Sequence, residues 1–189
     1  MKRFALIALA AFAFTSNAFA TVYSIDPGHT QVEFTYNHFG FSNITGRFDQ
    51  VNGEFELDTA DLAKSRISIE IPISSLSTGV GKLDQHLLGP DFFDAAKYPT
   101  ATFKSKSVHV VDVGKLHVSG DLTIHGVTKP VTPGVKVTKI GDHPMNKIPA
   151  AGFDASTRIK RSEFGVGAYV PMVSDDVEIH ITLEATAAK

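Results

Sequence analysis

Lys115-Leu-His-Val-Ser-Gly-Asp-Leu-Thr-Ile124, continued by His125-Gly-Val-Thr-Lys-Pro-Val131, is the stretch that decides the fold. Leu116, Val118, Leu122 and Ile124 share one register, with Gly120 among them, while Lys115, His117, Ser119, Asp121 and Thr123 share the other. Successive side chains of a strand point to opposite faces. Alternation over this length therefore predicts a strand with one dry face and one wet face. Gly126 permits a tight turn and Pro130 has no N–H for a ladder, so Gly126–Pro130 reads as the bend that hands the chain to the next strand.

The same pattern recurs on both sides of this stretch. Val32, Phe34 and Tyr36 alternate with Glu33 and Thr35, and Val51, Gly53, Phe55 and Leu57 follow in register. Ile67, Ile69, Ile71 and Ile73 alternate with polar residues around Pro72, which suggests an edge or a bulge. Ala101 and Phe103 begin another strand, and Val131–Ile140 reads as one more. Phe153, Ala155, Thr157 and Ile159 alternate, as do Val177, Ile179, Ile181 and Leu183. Ser77–Pro90 breaks the pattern. Leu83, Leu87 and Leu88 are spaced as on a short helix, which Gly89-Pro90 ends. About eight one-sided strands joined by short connections predict an antiparallel meander, and closing it into a barrel removes the exposed edges.

The N-terminal residues read differently. Lys2 and Arg3 precede an apolar run from Phe4 to Phe14, and Ala18-Phe19-Ala20 offers a small-x-small cleavage site. Residues 1–20 therefore read as a secretory signal peptide cleaved after Ala20, with a periplasmic domain over residues 21–189. Without Lys2 and Arg3 the chain keeps 16 basic against 20 acidic residues, a formal charge of −4. That balance argues against nucleic acid as a partner. The chain has no cysteine, so disulfides, thiol chemistry and cysteine metal sites are all ruled out.

Ten phenylalanines and four tyrosines follow Ala20. Phe34, Tyr36, Phe55, Phe103, Leu122, Ile124 and Phe153 fall in the inward register of strands. His38, Phe39 and Phe41 lie in one aromatic bend, Leu87, Leu88, Phe92, Phe93 and Tyr98 in the irregular segment formed by the short helix and the connection after it, and Phe164 in a turn-rich stretch. A packed core accounts for many such residues. Three features favour a cavity instead: Gly53 and Gly120 stand where a packed interior wants bulk, an eight-stranded barrel is wide enough for one small ligand, and Leu87, Leu88, Phe92 and Phe93 sit in an irregular segment, as a lid over a barrel mouth would. These sixteen side chains are the candidate lining of an apolar tunnel and its mouth, with Gly79–Pro99 as a gate. A cavity lined by carbon prefers a long apolar ligand.

Four stretches also carry a family resemblance: Tyr23–Phe34, Asp91–Phe103, Gly120–Val131, and the tail from Arg161-Ser-Glu-Phe-Gly165 to Glu184. In this order and spread the chain resembles the YceI family of lipocalin-like, polyisoprenoid-binding bacterial proteins. The resemblance implies an all-β fold with one short helix, an eight-stranded antiparallel barrel around a lipid tunnel. It also implies an isoprenoid or similar, quinone-like lipid as ligand, with no other cofactor, and often a homodimer. Because pocket and bilayer are both apolar, such a lipid is expected to be exchanged through transient contact with membrane.

Sharper chemistry finds little support in the pattern. The eight histidines form no H-x-H or H-E-x-x-H pair, so no metal site is expected. His109, His117 and His180 sit opposite the apolar register, while His29, His38 and His86 lie in connections that suit the mouth. No serine has glycine at both −2 and +2, so the nucleophile elbow is missing and no catalytic residue is assigned. A hydrolase whose triad is assembled from separate loops stays open as the alternative, as does a stress-response barrel that holds lipid incidentally.

Overall fold

The computed structural model describes residues 20–188, so the expected leader, apart from Ala20, lies outside the described residues. Twelve strands follow one another: β1 (Thr21–Ile25), β2 (Gln31–His38), β3 (Ser42–Phe48), β4 (Asn52–Leu57), β5 (Arg66–Pro72) and β6 (Leu76–Ser77), then β7 (Thr100–Asp112), β8 (Lys115–Ile124), β9 (Val127–Val131), β10 (Gly134–Asp142), β11 (Pro149–Lys160) and β12 (Asp176–Ala187). One α-helix, α1 (Gly81–Leu88), sits between β6 and β7.

Every pairing between these strands is antiparallel, and β1 pairs with both β4 and β12. The ring β1-β4-β5-β7-β8-β10-β11-β12 therefore closes on itself as an eight-stranded barrel. The other four strands continue members of that ring after a break. β2 carries on the line of β1 along β12, since Ile25 pairs with Ala185 and Gln31 with Thr182. β3 leads into β4, β6 follows β5, and β9 leads into β10. All four continuations lie towards the end where α1 sits. There β9 pairs only with β8 and β6 only with β3, so the wall is splayed and α1 with its neighbours covers it.

The register predicted for β8 holds. Leu116 and Val118 are buried, and His117 is exposed on the other face. In β7 a bulge between Ser105 and Ser107 moves the inward register from Ala101 and Phe103 to Val108.

Several expectations need correction. The turn after β8 is only His125-Gly126, both with positive φ (51° and 74°), and Ile124 pairs directly with Val127. Two left-handed residues match the twist of a hairpin. Pro130 lies inside β9 opposite Asp121, where an edge strand tolerates its missing N–H, and the chain bends at Thr132-Pro133. Val131–Ile140 is consequently two segments. Pro72 ends β5, a strand paired on both sides.

Gly53 and Gly120 do not open space in the interior. A Cβ on Gly120 would meet the carbonyl oxygen of Lys104 and, at 2.7 Å, the ring of Phe103. One on Gly53 would meet the backbone of Ser68 and Ile69. Each glycine admits a neighbouring strand or ring, which is its reason for being glycine.

Candidate functional site

The dry faces of the strands enclose an apolar cavity of about 390 Å³, within the range usual for small-molecule sites. Its walls follow the period of two. β2 contributes Val32, Phe34, Tyr36 and His38; β12 contributes Val177, Ile179, Ile181 and Leu183; β11 contributes Phe153, Ala155, Thr157 and Ile159. β8 supplies Leu116, Val118, Leu122 and Ile124, and β5 supplies Ile67, Ile69 and Ile71. A closed barrel gathers these stripes because each strand has only one face that can be dry.

At one end α1 brings Leu83, His86 and Leu87 over the opening, and Phe92 and Phe93 follow from the next loop. The Phe93 and Phe48 rings form a T-shaped pair with 5.9 Å between centroids, which seats this cover on the wall. His86, Phe92 and Tyr169 form an aromatic trio with centroids 5.1–6.2 Å apart, joining the α1 segment to the loop that leads into β12.

Twelve of the sixteen proposed lining residues stand on the cavity: Phe34, Tyr36, His38, Phe55, Leu87, Phe92, Phe93, Phe103, Leu122, Ile124, Phe153 and Phe164. Four stand elsewhere. Phe39 and Phe41 belong to the β2–β3 hairpin, whose left-handed Phe39 and Gly40 reverse the chain and leave Phe41 92% exposed. Leu88 packs beside the core at the end of α1. Tyr98 packs against His125, the rings tilted by 55° with centroids 4.3 Å apart, and covers Gly126, outside the cavity.

His38 and His86 line the mouth, whereas His29 does not. His29 lies in the β1–β2 break, with Nδ1 2.9 Å from Asp26 Oδ2, and its side chain is 69% exposed. Its hydrogen bond to Asp26 and the charges of Asp26 and Glu184 raise its pKa, and the same bond with the Gly28 N–H lowers that of Asp26. Ligand atoms of Asp26, His29 and Glu184 lie within 4.8 Å of one another on the outer wall. Only the β1–β12 pairing brings them together, so no sequence spacing announces them. Among the described residues no serine hydroxyl hydrogen-bonds to a histidine.

Arg161 is the one buried charged residue on the cavity among the described residues, and like Tyr169, Val166 and Val173 it was not among the sixteen candidates. It is 9% exposed and lies on the cavity. Its Nε donates to Ser174 O, Nη1 to Val166 O and Ala168 O, and Nη2 to Val173 O, at 2.6–2.9 Å. These four bonds fix the loop that carries Tyr169. Burial lowers the pKa of Arg161, while Asp175 and Tyr36 act in the opposite sense. Burial raises that of Tyr36, against the pull of Arg161. The signal in the sequence was that Arg161 continues the inward register of Phe153, Ala155, Thr157 and Ile159, at the start of a turn.

The model of the YceI-like domain matches residues 23–185. A UPF0312 protein of Vibrio cholerae is 36% identical over 176 residues, covering 93% of each chain. The protein YceI of Escherichia coli O157:H7 is 37% identical over 175 residues, covering 92% of this chain and 91% of its own. Among solved structures, BcnA of Burkholderia cenocepacia superposes with a TM-score of 0.78 at 30% identity, over 86% of this chain and 99% of that one. A domain from Saccharophagus degradans described as polyisoprenoid-binding gives a TM-score of 0.69 at 18% identity, over 89% and 99%, a likeness of fold alone. On a match that spans the whole barrel, from β1 into β12, the chain belongs to the YceI family.

Proposed function

We propose that this chain is a periplasmic carrier that holds an isoprenoid-type lipid, polyprenyl or quinone-like, in the barrel cavity and exchanges it with membrane. One observation carries the reading: a cavity of about 390 Å³ inside the barrel whose walls are almost entirely carbon. The polyisoprenoid-binding description of the Saccharophagus degradans domain with the same fold supports the ligand class. The leader read at residues 1–20 supports the compartment.

Energetics favour exchange with a bilayer over capture from water. At about 0.8 kcal/mol per buried CH₂, a forty-carbon chain nominally gains about 32 kcal/mol, beyond the ceiling of roughly 18–21 kcal/mol for non-covalent affinity. Transfer between two apolar hosts involves a much smaller difference. It requires an opening, and Gly79–Pro99, with α1 and the Phe92-Phe93 pair, is the movable segment. A homodimer belongs to the same proposal, by analogy with the family.

The test is organic extraction of the purified protein followed by lipid mass spectrometry. A stoichiometric isoprenoid or quinone supports the carrier. Protein that purifies empty and takes up no isoprenoid from vesicles overturns it.

A further inference from the structure

The geometry points to a head-group site at the α1 end of the cavity, where the Tyr36 hydroxyl and one N–H of Arg161 select lipids that end in an anionic oxygen group. This rests on the cavity being a lipid site and adds the end of the ligand that it recognises.

A guanidinium has five N–H donors. Four of those on Arg161 go to main-chain carbonyls, which leaves one on Nη2 without a partner among the described residues. No carboxylate of the described residues lies within ion-pair distance of this group. Asp175 is the carboxylate that acts on it, and it is held instead by Ser162, through the backbone N–H at 2.8 Å and the hydroxyl at 2.7 Å. The cation is therefore fixed, 9% exposed and not neutralised by a contact partner.

Tyr36 lies on the same cavity and makes no side-chain hydrogen bond among the described residues. Its hydroxyl is desolvated and feels the charge of Arg161. A spare donor beside a buried cation favours an acceptor that carries negative charge, because charge-assisted hydrogen bonds are the strong ones. The other end of the cavity offers no equivalent. Ser65 Oγ there already accepts from the Asp58 N–H, and Arg66 is exposed to water, where its charge is screened. The tail accordingly runs towards Leu62 and Val108, and the head stays beneath α1.

The experiment compares three probes with one tail: geranylgeranyl phosphate, geranylgeranoate and geranylgeraniol. Each displaces an apolar fluorescent dye from the full chain. The anions should bind about ten-fold more tightly than the alcohol. Tyr36→Phe should narrow that ratio about five-fold, and high salt should narrow it little, because the site is buried. Arg161→Lys, which keeps the charge but cannot make all four carbonyl bonds, should lower the ratio as well. Phosphate and carboxylate both exceeding the alcohol supports the site, and whichever leads names the head group. Equal binding of all three, or a ratio untouched by Tyr36→Phe, overturns the site and leaves the lipid cavity standing. Displacement by none of them overturns the cavity reading itself.

Discussion

The two ends of this barrel are built by different rules. Towards the hairpins at β7–β8 and β10–β11 the wall is a continuous ring of paired strands, and its dry side chains recur every second residue. Towards α1 the ring splays, β6 and β9 are paired on one side only, and the opening is covered by a helix, two aromatic loops and a buried arginine. The regular half holds shape because its long strands β7, β8, β11 and β12 pair along most of their length, interrupted only by bulges. The covered half depends on a few side chains, and segments with fewer main-chain partners open at lower free-energy cost. That difference suits a container whose wall stays closed while its lid moves.

The largest effect is expected at the lid. Leu87→Asp places a charge at a buried lining position, which costs on the order of 3–5 kcal/mol where no partner exists. Phe93→Asp, at a half-buried position, should damage the fold less and still block loading. Native mass spectrometry reads lipid occupancy and thermal melting reads stability; full occupancy in the Phe93 variant would refute the gate.

Arg161→Met comes next. It leaves four carbonyls without their donor, at about 1–3 kcal/mol for each group that stays buried and unpaired, and relaxation of the loop should hold the total to about 3 kcal/mol. Hydrogen exchange should rise across Gly165–Asp175 and remain slow in β11 and β12. Equal acceleration in both regions would show that the two halves are one cooperative unit.

Gly120→Ala probes the regular half. The new methyl meets Phe103 and the carbonyl of Lys104, and overpacking of this kind costs about 1–3 kcal/mol. Denaturant unfolding should show the loss, and lipid occupancy should persist because Gly120 does not line the cavity. Retained stability would mean that β7 and β8 separate more easily than their continuous pairing implies.

The smallest effect concerns His29 and Asp26 on the outer wall. The raised pKa of His29 means its contribution is complete below the ordinary histidine value of about 6.5 and fades as pH rises through the folded value. The lowered pKa of Asp26 means its contribution is present above the ordinary carboxylate value of about 3.9 and fades as pH falls through the folded value. The pair is thus strongest between those two ordinary values. Titration by NMR should place His29 above the ordinary histidine value and move it back towards that value in Asp26→Asn, with Glu184 still acting on it. An unshifted His29 would remove the contact.

The alternation in β2, β5, β8, β11 and β12 was legible in the sequence, and so was the short helix, because one-sided burial leaves a period that residue type records. Phe34, Leu122 and Phe153 reach the cavity for that reason. Phe41 and Tyr98 misled because an aromatic residue in a connection carries no register. Its direction depends on left-handed residues such as Phe39 and His125, which reverse the chain locally. Gly53 and Gly120 misled because a missing side chain looks the same whether it leaves space or admits a neighbour.

By itself, then, the order of apolar and polar residues determined that this chain builds one-sided strands around a single dry interior. Only the tertiary structure decided which loops cover the mouth and that β9 stays on an edge. It also decided that Arg161 meets four carbonyls of a loop up to thirteen residues away, and that Asp26, His29 and Glu184 share a surface. The physical reason is range. Strand periodicity is written between neighbours in sequence, whereas Arg161 meets its four carbonyls only once the loop between β11 and β12 has folded around it, and Asp26 and His29 meet Glu184 only when β1 closes on β12.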